Sequence, residues 1–151
     1  MSELEQAMRD PERGRAYLRS KLPTLGITEL DRQHKQLLEQ IINFHVLVER
    51  LLKSRPDDQD WLEIKAHFDF LLTYIRDHFS YEEGLMQRSH YAAFDAHKRE
   101  HEEFTKKVTS FRRDLLEKRD IYTTVNVKFF LLEWLFSHTG TTDMKLKGEI
   151  Q

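Results

Sequence analysis

The amino-acid sequence predicts an all-α protein: an up-down-up-down antiparallel four-helix bundle with a short N-terminal helical extension. Three observations favour this fold class. The 151 residues include only five glycines and three prolines, and such a shortage of turn-forming residues is unusual for a protein of many strands. Apolar residues recur at spacings of three and four along four long stretches, as they do on the buried face of a helix. Short connections join the stretches, as in antiparallel bundles.

The extension is predicted over residues 1–22 and the helical domain over residues 23–151. Within the extension, a weak helical turn precedes Pro11, and a second short helix covers residues 12–22. That helix ends before Pro23, because proline cannot continue an α-helix. We interpret the extension as a polar segment that packs loosely on the domain, with a partner-docking or dimer-forming segment as the alternative.

Each of the four long helices carries one apolar stripe at helical spacing. The first is predicted over residues 30–53, with Asp31 as its N-cap. A loop rich in turn-forming residues follows over residues 54–60, and Asp60 at its end is the expected N-cap of the second helix. The second, third and fourth helices are predicted over residues 61–87, 92–118 and 122–139.

The composition excludes several classes of function. Hydrophobic residues make up 39% of the chain and charged residues 33%, with a net charge of −2, so neither nucleic acid nor an anionic membrane is indicated as a partner. The absence of cysteine excludes disulfides, thiolate metal sites and cysteine nucleophiles. No apolar run approaches the ~20 residues of a membrane span, and the N-terminus lacks the apolar core of a signal peptide. We therefore expect a cytoplasmic protein.

Seven side chains of ligand type fall at one end of the predicted bundle. They lie near the start of the first and third helices and near the end of the second and fourth, which meet when neighbouring helices are antiparallel: His34, His78, Glu82, His97, His101, His138 and Asp143. His78 and Glu82 are four residues apart, and so are His97 and His101, so the two members of each pair point the same way from their helix. Burying one unpaired polar group costs several kcal/mol, and seven would exceed a typical domain stability of about 5–15 kcal/mol. We therefore interpret the seven residues as metal ligands.

The chemistry of these ligands narrows the choice of metal. Imidazole and carboxylate without sulfur suit iron, manganese, zinc or copper, and form a poor site for calcium. Seven protein ligands are too many for one ion of four- to six-fold coordination, but they suit two ions bridged by carboxylates. A count of two six-coordinate ions with two bridging carboxylates and one solvent-derived bridge leaves one position open. An open position on a redox metal predicts a site for a small molecule such as O₂.

At these residues the sequence resembles the haemerythrin family, and most of all its bacterial single-domain members. The resemblance covers about residues 25–146. Four stretches carry it, each including one or more of the seven ligand-type residues: Gly26 to His34, His78 to Met86, His97 to Phe104, and Trp134 to Asp143.

The resemblance implies reversible O₂ binding at two non-haem iron ions (Fe2+/Fe3+) joined by an oxo or hydroxo bridge. Two carboxylates, Glu82 and Asp143, would bridge the ions. The coordinatively saturated iron would be held by His97, His101 and His138. The iron with the open position would be held by His34 and His78. Four apolar residues match positions that line the O₂ pocket in the family: Leu37, Phe79, Trp134 and Leu135.

One departure from the family pattern concerns the end of the fourth helix. Thr139 follows His138 at a position where the family usually has isoleucine, and Gly140 is expected to stop or distort the helix. These two residues would let water reach the site and speed autoxidation.

Three functions remain open at this point. The favoured function is a non-enzymatic O₂ carrier, store or sensor, because protein ligands nearly saturate both ions. The first alternative is an enzyme, namely a di-iron oxidase, a peroxidase or a nitric oxide reductase. The second is an iron-dependent signalling protein whose working surface is the extension. Ferritin-like oxidases are disfavoured, because they require Glu-x-x-His pairs that are absent at matching positions.

Several other polar residues have simpler interpretations. His45 and His67 lie eleven residues, or about 16 Å of helix rise, from His34 and His78, so we expect them to face each other as a hydrogen-bonded pair. A second metal site there lacks further ligands. Glu83 is expected on the surface. Tyrosines could donate hydrogen bonds to metal-bound imidazoles, but ordinary packing is the favoured role for each: Tyr74, Tyr81, Tyr91 and Tyr122.

Overall fold

The computed structural model describes residues 2–120 and 122–150, without the side chain of Leu52. Within these residues the protein is all-helical and has no strand, which confirms the predicted all-α class. The elements are α1 (Glu3–Arg9), α2 (Arg15–Lys21), α3 (Thr28–Leu52), α4 (Asp58–Arg88), α5 (Phe94–Leu116), α6 (Thr123–Gly140) and a 3-10 turn (Asp143–Leu146). None of the described helices combines the length and the apolar character needed to cross a membrane.

The prediction that Asp31 caps the first long helix is wrong. Helix α3 begins at Thr28, preceded by Ile27, and Asp31 is its fourth residue. The Asp31 carboxylate instead accepts hydrogen bonds from the backbone N–H groups of Leu25 (2.8 Å) and Gly26 (3.0 Å). Gly26 has a φ of 82°, a left-handed conformation that glycine adopts at little cost. Asp31 thus holds the turn that leads into α3.

The prediction that Asp60 caps the second long helix is also wrong. Asp57 is the N-cap of α4, and its side chain accepts from the Asp60 N–H at 2.8 Å. The Asp60 side chain accepts in return from the Asp57 N–H at 3.0 Å, which completes a capping box. Two carboxylates, one at the N-cap and one in the first turn, therefore satisfy backbone N–H groups at the start of the longest described helix.

The long helices pack α3 against α4 and α6, α4 against α5, and α5 against α6. Their apolar side chains form two clusters. A large cluster includes Leu38, Phe68, Phe104 and Leu131, together with residues of α1 and α2. A smaller second cluster is formed by Leu25, Leu30, Leu85, Met86, Leu146 and Ile150.

The N-terminal helices belong to the large cluster rather than lying loosely on it. Met8 and Leu18 are buried, and α1 packs against α6 while α2 packs against α3. The buried Lys128 ammonium donates to the Arg9 carbonyl at 3.1 Å, and Glu39 on α3 binds arginine side chains of α2. The boundary between residues 1–22 and 23–151 stays a prediction, and residues 1 and 151 lie outside those described.

The predicted pairing of His45 with His67 is wrong. His67 is exposed, whereas His45 is buried with its Nε2 3.1 Å from a Glu49 carboxylate oxygen. The buried positions of α4 repeat every seven residues, as Trp61, Phe68, Ile75 and Glu82 do. A stripe that repeats every seven residues has about 3.5 residues per turn, so a residue eleven positions from one of its members lies to one side of the stripe. A spacing of eleven therefore does not by itself place a residue in the core, since His45 is buried and His67 is exposed.

We expect Gly14→Ala to destabilise the protein by about 1–3 kcal/mol. A Cβ at position 14 would lie 2.6 Å from the Ala7 Cα, so the helices α1 and α2 would have to separate. Gly84→Ala is the matched control, because the Cβ at position 84 would meet only the flexible Arg88 side chain, at 3.2 Å. That change should stabilise α4 by up to about 1 kcal/mol, the usual gain of alanine over glycine in a helix. Urea unfolding of both variants measures the difference, and equal stabilities would contradict the close packing of α1 on α2.

Candidate metal centre

All seven predicted ligands come together in the core, each at most 4% exposed. His34 lies on α3, His78 and Glu82 on α4, two further histidines on α5, His138 on α6, and Asp143 on the 3-10 turn that follows α6. They form two overlapping groups, in each of which one ligand atom per residue lies within 4.8 Å of all the others. The larger group is Glu82, His97, His101, His138 and Asp143; the smaller is His34, His78, Glu82 and Asp143.

The Glu82 carboxylate faces both groups, one oxygen to each. Its Oε1 lies 2.7 Å from the Nε2 of His97 and 3.3 Å from that of His101. Its Oε2 lies 3.6 Å from the Nε2 of His78 and 3.8 Å from that of His34. A carboxylate in this arrangement can bind two ions at once.

The Asp143 carboxylate also faces both groups, one oxygen to each. Its Oδ1 lies 3.0 Å from the Nε2 atoms of both His97 and His138, and its Oδ2 lies 3.1 Å from that of His34. All five imidazoles therefore direct Nε2 toward the two shared carboxylates. This is the donor set expected of a dinuclear metal site.

The polar atoms of this layer fit a cation. Among the described residues, both oxygens of Glu82 and of Asp143 are buried without a donor in good hydrogen-bond geometry, and so are Nε2 of His34 and of His101. Such atoms are costly when unpaired in a low-dielectric core. Coordination to metal ions would satisfy the lone pairs on all of them.

Both carboxylates remain ionised at neutral pH in spite of burial. Burial raises the pKa of Glu82, but the imidazoles close beside its oxygens outweigh burial and hold this pKa well below its usual range. Burial and the Glu82 charge raise the pKa of Asp143, and the imidazoles close to its oxygens bring it down to about 2. The two carboxylates therefore supply negative charge at the centre of the site, which positive charge must balance.

The histidines respond to that charge in different ways. Burial lowers the pKa of His34 and of His97, but the two carboxylates together raise both values to about 9. At His78 burial dominates and lowers the pKa to about 4, so this imidazole is neutral at pH 7. In the absence of a metal ion, protons on His34 and His97 balance the two buried carboxylates.

Two hydrogen-bond partners of the imidazoles were not predicted. Gln33 Oε1 lies 2.7 Å from Nδ1 of His78, and Glu83 Oε2 lies 2.8 Å from Nδ1 of His101. The expectation of a purely surface role for Glu83 is therefore wrong. Both contacts join two different helices, so no spacing along one helix signals them. Of the tyrosines, Tyr74 donates to Gln36 at 2.5 Å.

Aromatic rings cover one side of the site. Phe79 stacks on the His101 imidazole with the ring centroids 3.8 Å apart, and Trp134 stacks on that of His138 at 4.2 Å. These two predicted pocket residues thus lie against the larger ligand group. The other two, Leu37 and Leu135, are buried in the large apolar cluster.

The fourth long helix ends at Gly140, the residue expected to stop it, and Thr141 is its C-cap. Thr139 is buried, and its hydroxyl has no hydrogen-bond partner among the described residues. The expected effect of these two residues on water access stays a prediction.

The chain matches one family model, described as the Hemerythrin HHE cation binding domain, over residues 25–150. Among curated proteins, a bacteriohemerythrin of Stenotrophomonas maltophilia is 28% identical over 84% of this chain and 76% of its own length. A bacteriohemerythrin of Pseudomonas aeruginosa is 30% identical over 78% of this chain and 71% of its own length. A myohemerythrin of Sipunculus nudus is 30% identical over 80% of this chain and 82% of its own length. No solved structure gives a significant match.

We expect cation binding at pH 7 to release about two protons per chain, because His34 and His97 must give up their protons to offer Nε2 lone pairs. The apparent affinity should therefore rise between pH 6 and pH 9. Titration calorimetry with Zn2+ in two buffers of different ionisation enthalpy measures the release. His67→Gln, at an exposed histidine, should leave it unchanged. Equal heats in the two buffers would show that no proton is displaced.

Proposed function

The chain belongs to the haemerythrin family, and on this premise we propose that it binds O₂ reversibly at a non-haem di-iron centre. The family resemblance predicted from the sequence is thereby confirmed. One observation carries the proposal further: Glu82 and Asp143 each turn one oxygen to a set of three imidazoles and the other to a set of two. Two carboxylates shared in this way suit a pair of ions better than a single ion.

The proposed ligands follow from the two overlapping groups. One iron would be held by His97, His101 and His138, and the other by His34 and His78, with both carboxylates shared. The second iron then has one imidazole fewer, which leaves a position for O₂. When bound, two ferrous ions supply the two electrons that reversible O₂ binding requires.

The chain itself would protect that chemistry by excluding water. We propose that the O₂ position is lined by the apolar side chains of Leu37, Phe79, Trp134 and Leu135. The Phe79 ring reaches both ligand groups, since it stacks on His101 and its centroid lies 6.0 Å from that of His78. Trp134 stacks on His138 of the larger group, and the two leucines are buried. The smaller apolar cluster would close the opposite side, where Leu146 is fully buried. A dry site strengthens the bonds to the ligands and limits proton delivery.

An O₂ carrier or store suits this centre better than an enzyme. The proposed ligands are all buried, and coordination to two ions would occupy the polar atoms of the layer. Little room then remains for an organic substrate. An oxidase, a peroxidase or a nitric oxide reductase would need turnover, which the first experiment below measures.

We also propose the up-down-up-down arrangement for α3 to α6. Along α3 and α5 the chain passes from the smaller apolar cluster to the ligands and then to the large cluster, as from Leu30 through His34 to Leu37. Along α4, and along α6 with the 3-10 turn that follows it, the chain passes in the reverse order, as from Ile75 through Glu82 to Met86. Alternating order through the same three layers supports antiparallel neighbours.

Exposure of the anaerobically reduced, iron-loaded protein to air should produce a visible absorption band that disappears again under argon. The reason is that a buried site with one open position holds O₂ without consuming it. His90→Gln, at an exposed histidine, is the control and should behave as the unmodified chain does. Immediate and permanent oxidation, or sustained turnover with hydrogen peroxide or nitric oxide, would contradict a carrier.

The iron content of two variants tests the proposed sharing of ligands. His101→Ala removes a ligand from one group and should lower the iron content toward one per chain. Asp143→Asn weakens a ligand common to both groups and should lower the occupancy of both ions. Elemental analysis measures the content, and circular dichroism checks that each variant is helical. Full retention of two irons in Asp143→Asn would contradict a bridging role for that residue.

A further inference from the structure

A chain of hydrogen bonds runs from the surface of α3 to the buried His78. The Arg32 guanidinium donates through Nε to Glu29 Oε2 at 2.9 Å. Gln33 donates through its amide Nε2 to Glu29 Oε1 at 3.0 Å. On its other side, the Gln33 carbonyl oxygen lies 2.7 Å from Nδ1 of His78. Glu29 and Arg32 are partly exposed, with 37% and 52% of their side chains accessible. This series of hydrogen bonds therefore begins at the protein surface and ends at one of the proposed metal ligands.

The direction of each hydrogen bond follows from the charge on Glu29. Hydrogen bonds from Arg32 and Gln33 lower the pKa of Glu29 to about 2, so the carboxylate is ionised at neutral pH and only accepts. Gln33 must therefore turn its NH₂ group toward Glu29. Its carbonyl oxygen is then left for His78, and an oxygen can only accept. His78 consequently carries its proton on Nδ1, and the lone pair on Nε2 faces the shared carboxylate of Glu82.

We propose that Glu29 is a positioning residue that sets the tautomer of His78 through the Gln33 amide. The two ends of a glutamine amide have nearly the same shape, so Gln33 alone could present either one to an imidazole. Presenting NH₂ would favour the proton on Nε2, where it would block a metal ion. The acceptor-only carboxylate of Glu29 removes this choice. The inference rests on the proposed function in so far as Nε2 of His78 is a metal ligand.

The contact at His101 shows why His78 requires a second residue behind its hydrogen-bond partner to fix its tautomer. Glu83 reaches Nδ1 of His101 directly with a carboxylate, at 2.8 Å. A carboxylate accepts with either oxygen, so Glu83 selects the Nδ1 proton by itself. The amide of Gln33 has both a donor end and an acceptor end, so it does not select a tautomer by itself. Glu29, one helical turn away, fixes which end of the amide faces His78.

The test measures which ring nitrogen of His78 carries the proton. Long-range ¹H–¹⁵N spectra of the full, metal-free chain at neutral pH distinguish a proton on Nδ1 from one on Nε2. We expect the Nδ1 form in the unmodified chain and a mixture of both forms in Glu29→Gln, because the new amide can also donate to Gln33. Release of ferrous iron to a chelator should become faster, by at most about 10-fold, the low end of the effect of losing an outer partner of a ligand.

Two further variants separate positioning from a general structural effect. Glu39 lies on α3, as Glu29 does, and Glu39→Gln breaks its ion pairs with Arg15 and Arg19 of α2. Glu39 is no part of the series of hydrogen bonds from Arg32 to His78, so the tautomer should not change. Combining Glu29→Gln with Gln33→Glu places an acceptor-only group directly against His78 and should restore the Nδ1 form.

The outcomes of this test and of the proposed function are distinct. An unchanged tautomer in Glu29→Gln, an equal change in Glu39→Gln, or failure of the double variant to restore the Nδ1 form would overturn the role of Glu29, whatever iron does. If the unmodified chain bound no ferrous iron, the proposed function would fail, while the metal-free spectra would still decide the role of Glu29.

Discussion

Two ionised carboxylates in the middle of an apolar core are the constraint on which the rest of this structure depends. Glu82 and Asp143 are almost fully buried, and a buried charge is strongly destabilising unless opposite charge lies beside it. Five imidazoles from four helices surround them, and these can carry protons or direct lone pairs at metal ions. Every long helix must therefore hold its ligands at one level, and the packing of the helices follows from that requirement.

The apolar clusters and the polar layer reinforce each other. On α3, α4 and α5 the ligands fall between residues of the large cluster and residues of the smaller one, and beyond α6 the 3-10 turn supplies Leu146 to the smaller cluster, so water is held away on both sides. In the resulting low dielectric, interactions among the carboxylates and imidazoles are stronger than they would be at the surface. The same low dielectric makes an incorrectly placed proton costly, which is why contacts such as that between Glu83 and His101 matter.

Much of this arrangement could be predicted from the sequence, because the ligands lie on the same periodic stripes as the core residues. His34 and His138 were predicted through the apolar neighbours that recur three and four residues away. The N-cap of α4 was mistaken because three aspartates stand near the start of this helix, Asp57, Asp58 and Asp60, and the true cap depends on local backbone geometry. At α3 the carboxylate of Asp31 binds the preceding turn instead of capping the helix. Gln33 and Glu83 were missed because the rotation of two helices relative to each other brings them to their histidines. Periodicity within one helix contains no information about that rotation.

Six of the seven ligand-type residues lie within helices, whereas Asp143 lies on the 3-10 turn that follows α6. This difference sets where the chain tolerates insertions and deletions. One residue more or fewer in the loop between α3 and α4 leaves every ligand on its own helix. The same change between His138 and Asp143 would alter both the reach and the direction of a carboxylate that contacts three imidazoles. The length of this short link is thus as much a part of the site as the identity of its side chains.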